Sequence, residues 1–131
     1  MNLFDIIIAR KLSGGGGGGD TGEVWLVGDT GVEQSGERLF ALSNADATDY
    51  MTELFTNSDN YQVFLNGEEL PYKMSMSDHG TDSIIWMDGE TEEAVTKYVN
   101  ISSTSGTMNA MASYMDATTA PTSVEVSVKA K

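Results

Sequence analysis

Apolar and polar residues alternate in several short stretches of the chain, and this period of two is typical of β-strands. The clearest example is Val124, Val126 and Val128, which alternate with polar residues. The stretch 108–115 fits either a strand or a helix. Together with the hairpin described below, the pattern predicts seven or eight strands. The other strand predictions are 23–27, 37–42, 83–87 and 95–101, with turns or loops predicted at 28–31, 77–80, 88–93 and 102–107.

One stretch has a helical period instead. Tyr50, Met51, Leu54 and Phe55 recur on one helical face, which predicts a short helix over 46–56. Asp46 or Thr48 is positioned to cap its start. A helix of this length is marginal alone, so we expect it to pack on the sheet.

The strongest local pattern lies in 61–76, where Asn66-Gly67 suits a type I′ hairpin turn. This turn pairs Leu65 with Glu68, Val63 with Leu70 and Tyr61 with Tyr72. Pro71 lacks an amide hydrogen, which favours an edge position. In this register one apolar face carries Tyr61, Val63, Leu65, Leu70, Tyr72, Met74 and Met76.

The first twenty residues differ from the rest. An apolar block and a basic pair precede six consecutive glycines, which lose much backbone entropy on ordering. The block is too small to close a core, so we predict an anchoring arm at 1–20 and an acidic β-rich body at 21–131. The residues predicted to bind a partner are Leu3, Phe4, Ile6, Ile7, Ile8, Arg10, Lys11, Leu12, Gly14, Gly15, Gly16, Gly17, Gly18 and Gly19.

Charge limits the classes of partner. The net charge is −13, and the arm is neutral because Arg10 and Lys11 balance Asp5 and Asp20. An acidic body repels phosphate, so we expect no nucleic-acid binding. The chain has no cysteine, which excludes disulfides and thiolate metal sites. No apolar run reaches the length of a membrane span. Residues 1–12 lack the features of a signal peptide, so we expect synthesis in the cytoplasm.

Candidate chemistry is sparse. His79, the single histidine, lies in a Ser-Asp-His-Gly segment, and an ordinary surface loop is the favoured interpretation over a hydrolase site. Carboxylates at 88–93 and 20–29 lack the spacing of a helix-loop-helix calcium site. The glycine run lacks the strand, helix and lysine of a phosphate loop. We therefore expect no enzyme activity, no cofactor and no metal.

The arm carries a resemblance. It runs from Ile8 through Ala-Arg-Lys-Leu-Ser into Gly14–Gly19, after an apolar opening. This pattern resembles the start of short structural proteins encoded by tailed bacteriophages and prophages, and it covers about the first sixth of the chain. The resemblance implies a virion component, such as a capsid decoration or head-fibre protein.

The sequence as a whole predicts a mainly β body, a single sandwich-like domain with one packed helix, behind an extended N-terminal arm. The expected function is structural, in the virion, with other virion proteins and further copies of this chain as partners in a homo-oligomer. A tail-associated structural protein and a glycan-binding or host-attachment module are the alternatives. An aromatic-lined groove would favour glycan binding, and a hydroxyl–histidine–carboxylate site around His79 would favour a small hydrolase.

Overall fold

The structure, a computed structural model, describes residues 21–131, which form ten strands, one α-helix and two short 3-10 turns. The helix is α1 (Ala47–Thr56), and the 3-10 turns are Ser58–Asn60 and Glu92–Ala94. The strands are β1 (Glu23–Gly28), β2 (Gly31–Gln34), β3 (Glu37–Ala41), β4 (Tyr61–Leu65), β5 (Glu68–Glu69), β6 (Tyr72–Asp78), β7 (Thr81–Met87), β8 (Lys97–Thr104), β9 (Thr107–Tyr114) and β10 (Val124–Ala130).

The strands form two antiparallel sheets that pack as a sandwich, which confirms the predicted fold class. The smaller sheet has the order β1-β10-β4-β5, and the larger has the order β2-β3-β9-β8-β7-β6. The predicted count of seven or eight strands is too low for two reasons. The prediction missed β2, and it treated β5 and β6 as one strand.

The chain passes between the sheets at two corners while keeping its strand character. β1 belongs to the smaller sheet and β2 to the larger, with only Asp29 and Thr30 between them. At the other edge, Leu70 and Pro71 join β5 of the smaller sheet to β6 of the larger. Such corners occur where a strand bends from one sheet into the other.

Four hairpin turns use the same chemistry, a residue with positive φ followed by glycine. Ser35, Asn66, His79 and Ser105 all have φ near 50°, and each precedes a glycine with φ of 83° or 85°. Two successive positive φ values define the type I′ turn, whose twist matches that of the flanking strands. The loops predicted at 77–80 and 102–107 are therefore tight turns, and strand residues extend to both sides of them.

The strand pairing predicted for the Asn66-Gly67 hairpin is confirmed up to Leu70, and the pairing predicted beyond Leu70 is wrong. Leu65 pairs with Glu68 as predicted, and the Leu70 amide donates to the Val63 carbonyl at 2.8 Å. Tyr72, however, pairs with Met87 of β7 and not with Tyr61. The reason is the corner at Pro71, where the strand leaves the smaller sheet.

Helix α1 closes the sandwich and contacts strands of both sheets. Met51 and Leu54 are buried in the core, as the helical period predicts, and Tyr50 stacks on Trp25 of β1 with ring centroids 4.6 Å apart. Asp46 occupies the N-cap position, but its side chain makes no capping bond. Its backbone amide donates instead to the Asn44 side chain at 2.6 Å.

The core lies between the sheets and is almost entirely apolar. It takes Leu26, Val63, Leu65 and Val126 from the smaller sheet, and alternate residues of the larger sheet face them. The central members of this cluster have essentially no solvent exposure. The inward residues of the larger sheet are Phe40, Ile84, Trp86, Val99, Ile101, Ala110 and Ala112.

We expect Val63→Asp to destabilise the fold by about 3 kcal/mol, because Val63 is buried in the core and a carboxylate there has no partner. Gln62→Asp is the matched control, since Gln62 is the neighbour of Val63 on β4 and points to the opposite side of the strand. We expect the control to change stability by about 0.5 kcal/mol. Urea denaturation measures both, and equal effects of the two substitutions contradict the observed register.

Candidate functional site

The predicted partner-binding residues of the arm, from Leu3 to Gly19, lie outside the described residues. The described chain starts beside β10, where Gly22 has φ of 87°. A Cβ atom on Gly22 would lie 2.1 Å from the Val128 carbonyl oxygen, so only glycine fits there. The start of the described chain is therefore held closely against β10.

His79 occupies the tip of the β6–β7 hairpin, and its side chain is 94% exposed. Its Nε2 atom lies 3.2 Å from Oδ1 of Asp78. The Ser77 hydroxyl instead donates to Asp82, at 2.7 Å. The three neighbours in sequence thus do not form a hydroxyl–histidine–carboxylate chain in this structure.

The carboxylates at 88–93 serve the local fold. Asp88 accepts hydrogen bonds from the Thr96 hydroxyl and from the Thr96 amide, the latter at 2.8 Å. Glu92 and Glu93 begin a 3-10 turn, with the Thr91 side chain accepting from the Ala94 amide. Across residues 21–131, no three histidine or carboxylate groups are arranged to hold a metal ion.

The ammonium group of Lys97 joins the two sheets at the end of the sandwich where the Asn66-Gly67 turn lies. The Lys97 side chain of β8 is only 10% exposed, and its Nζ lies 2.7 Å from Glu68 of β5 and 3.6 Å from Asp88. Nζ also lies 5.9 Å from the centroid of the Tyr114 ring. The Tyr114 hydroxyl accepts from the Asn66 side chain at 3.1 Å. This group, which we call the Lys97 brace, links one sheet to the other.

The pKa values in the Lys97 brace show that its charges stabilise each other. Burial alone lowers the pKa of Lys97, but the hydrogen bond and charge of Glu68, with the charge of Asp88, raise it above its ordinary value. Burial alone raises the pKa of Asp88, but hydrogen bonds from Thr96 and Lys97 hold it below its ordinary value. All polar groups of the brace have partners, as expected for a structural ion pair.

A small cleft lies where β5 turns into β6. Tyr61, Lys73 and Trp86 are among its lining residues, and its volume is about 80 Å³. Trp86 is only 2% exposed, so it offers little surface to a ligand. Typical small-molecule pockets are larger, about 300–1,000 Å³. This cleft is not the aromatic-lined groove that would favour glycan binding.

Most of the exposed large apolar residues of the described chain lie on the side of the larger sheet that faces away from the core. Because side chains alternate across a sheet, the residues between the inward ones point outward here. Register defines two mostly apolar rows across the strands, each with one polar member, and we call these rows the outer face. The first row is Val32, Leu39, Ser113, Tyr98, Met87 and Tyr72, and the second is Ala41, Met111, Asn100, Ile85 and Met74.

Four of the five most exposed large apolar residues of the described chain point outward from this sheet. Val32 is 61% exposed, Tyr72 39% and Met74 43%. Met76, in the next row beyond Met74, is 48% exposed. Tyr72, Met74 and Met76 adjoin on β6, whereas Val32 lies at the opposite edge of the sheet. Single exposed apolar residues are normal on protein surfaces, but adjoining ones are typical of an interaction site.

The outer face carries almost no charge. Among the outward positions of the six strands, only Glu37 and Asp78 are charged, and both lie at ends of the sheet. Glu37 accepts a hydrogen bond from the Ser113 hydroxyl at 2.9 Å. Burial, opposed by a hydrogen bond with Ser113 and assisted by Glu37, raises the pKa of Tyr98, which keeps the phenol neutral. The two rows themselves therefore contain no charged side chain, on a chain of net charge −13, and the Glu37 carboxylate borders one of them.

Sequence reasoning missed this face because it placed Tyr72, Met74 and Met76 on the same apolar face of one hairpin as Val63 and Leu65. The alternation of those residues correctly predicted a strand, but it could not show whether a second sheet covers that face of the strand. Pro71 was the available signal, since a proline inside an apparent strand indicates an edge or a bend. The bend moves these residues to an edge strand, where no second layer covers them.

Comparisons with protein-family models, with curated proteins and with solved structures found no match to this chain. None of the helices in the described chain has the length and apolar character needed to cross a membrane. Function must therefore be inferred from the residues of this chain.

We expect Asp88→Asn to cost about 1–2 kcal/mol at pH 7, because the brace loses one of its two carboxylates. Since folding lowers the pKa of Asp88, the native advantage is present above about pH 4, the range of an unfolded carboxyl group. This contribution of the Asp88 carboxylate to the free energy of unfolding is lost as the pH falls through the lower pKa that Asp88 has in the folded state. Urea denaturation of both proteins at several pH values measures this. An Asp88→Asn deficit that is unchanged at the lowest pH contradicts it.

We expect His79→Ala to leave both stability and assembly unchanged, because the side chain is almost fully exposed at a turn. The positive φ of 50° favours glycine or asparagine there, so His79→Asn is the control that separates backbone from side-chain effects. Thermal unfolding measures stability, and co-sedimentation with phage particles that lack the native protein measures assembly. Loss of assembly in a normally folded His79→Ala protein would contradict the non-enzymatic, structural interpretation.

Proposed function

We propose that this chain is a structural component of a phage virion, anchored by residues 1–20 to the capsid as a decoration or head-fibre protein. The observation that carries the proposal is the division of the described surface. One sheet face carries two adjoining rows of mostly apolar side chains with no charge, whereas the rest carries the acidic excess. Such a division is typical of a protein that contacts other subunits on one side and solvent on the other.

The resemblance of the arm to the start of phage structural proteins supports the virion setting. Burying Leu3, Phe4 and the isoleucines Ile6 to Ile8 against a partner contributes about 1.5–3 kcal/mol per side chain. Ordering the six glycines opposes this by about 1–2 kcal/mol per residue. The two terms nearly cancel for one arm. Strand addition to the partner, and several linked arms per oligomer, then supply the remaining affinity.

Glycan binding for host attachment is the second candidate, and one observation favours it. Tyr72 and Tyr98 lie in the same row of the outer face with Met87 between them. Two strand spacings place them about 10 Å apart, so that both rings could stack on neighbouring sugars. Saturable binding to a glycan array that Tyr72→Ser abolishes would favour this candidate. A tail-associated structural protein would be anchored by the same arm, with a tail protein as its partner instead of the capsid.

We expect a chain that lacks residues 1–20 to remain folded and to lose attachment to particles, because residues 21–131 contain both sheets and the buried cluster between them. Circular dichroism measures the fold, and co-sedimentation with particles that lack the native protein measures attachment. A full-length chain with Ile6, Ile7 and Ile8 replaced by serine keeps the arm length and tests the apolar contacts alone.

We expect the serine variant to lose attachment as well, since it retains the glycine run and the basic pair. Normal incorporation of the truncated chain would show that the arm is not the anchor. Attachment of the serine variant with loss in the truncated chain would assign the contact to Arg10, Lys11 or the glycines instead.

A further inference from the structure

We propose that the outer face of the six-stranded sheet is the surface through which two copies of this chain pack, sheet against sheet. The inference rests on the proposed function for its setting, since virion proteins act in many copies. The surface itself is argued from the body alone. Two copies related by a twofold axis would use the same patch on each partner.

The exposed residues have the chemistry of a self-association surface. Methionine adapts its shape readily and is enriched at interaction surfaces, and Met74, Met76, Met87 and Met111 all point outward from this sheet. Tyrosine is enriched at the buried centres of interfaces. Two such sheets pack face to face about 10 Å apart, and the side chains of each fill the gaps of the other.

Charge identifies a second copy as the occupant. A basic partner would need carboxylates to contact, but the outward positions offer only Glu37 and Asp78, and an acidic partner would find no lysine or arginine there. The complement of an uncharged face is another uncharged face. Two chains of charge −13 repel each other strongly elsewhere, so this face is where they can approach.

The area of the sheet also fits a dimer. Six strands spaced about 4.8 Å apart make a sheet ~24 Å wide, and strands of about six residues make it ~20 Å long. Two copies that pack over the whole outward side of the sheet, including the polar positions that flank the outer face, thus cover roughly 500 Å² each, near the total of about 1,000 Å² that a specific interface needs. An arm segment lying on this face would cover one strand width of about 5 Å and leave most of the apolar rows in water.

Sedimentation equilibrium of the full-length chain tests the proposal. We expect a mass twice that of the 14.1 kDa chain at micromolar concentration. Met74→Lys should weaken dimerisation at least tenfold, because it places a charge within the packed face. Ser75→Lys is the matched control, since Ser75 is the next residue of β6, is exposed, and points to the other side of the strand. It adds the same charge and should leave the dimer unchanged.

Salt separates apolar self-association from an interface held by ion pairs. We expect dimerisation to strengthen as the ionic strength rises from about 0.01 to 0.15 M, because the Debye length falls from about 30 Å to 8 Å and screens the repulsion between copies. A monomeric native chain, equal effects of the two lysine substitutions, or weakening by salt would each overturn the proposal.

Methionine oxidation locates the interface directly. In hydrogen peroxide, Met74 and Met76 should oxidise at least threefold more slowly at concentrations where the dimer forms than in the dilute monomer. Peptide mass spectrometry measures each site, and the buried Met51 of α1 should react slowly at both concentrations. Equal rates at Met74 in the two conditions would overturn the proposal.

The outcome is independent of the arm experiment. Dimerisation is measured on purified chain without particles, whereas anchoring is measured with particles. A dimer disrupted by Met74→Lys, with normal attachment of the arm-deleted chain, supports the face and contradicts the anchor. A dimer unaffected by Met74→Lys, with attachment lost on arm deletion, supports the anchor and overturns the face.

Discussion

The two corners at which the chain passes between sheets control the rest of the structure. Between β5 and β6, Leu70 and Pro71 carry the strand out of the smaller sheet before its pairing with β4 can continue. Proline cannot donate to a sheet ladder, so the bend occurs at a residue that loses no hydrogen bond. The corner lengthens the larger sheet by one strand, and that edge strand carries Tyr72, Met74 and Met76.

A second consequence of the fold is an ion-pair group that connects the two sheets at one end. The smaller sheet contributes Glu68, the larger contributes Lys97, and Asp88 follows β7 immediately. These groups meet where the core ends, so the lysine is desolvated while its carboxylates stay partly in water. A buried ion pair adds little net stability compared with apolar packing. Its geometry nevertheless fixes how the two sheets align at this end.

The outer face and the acidic remainder together describe a protein with two different sides. In the proposed dimer, charge repulsion between copies disfavours contact over most of the surface, and the outer face is where two copies would meet. The proposed arm would add a separate mode of attachment, because six glycines separate its apolar block from the body along the sequence. The two proposals therefore assign attachment to an assembly and contact between copies to different parts of the chain.

The sequence by itself determined the features that depend on near neighbours. The Asn66-Gly67 turn, the buried pair Val63 and Leu70, and the helical face with Met51 and Leu54 follow from turn chemistry and periodicity, and each is present. Only the tertiary structure decided which face of a strand is covered. A period of two looks the same on either sheet, and burial depends on a second layer formed by distant residues. For that reason the sequence predicts the alternation of Tyr72, Met74 and Met76, but it does not predict that they are exposed.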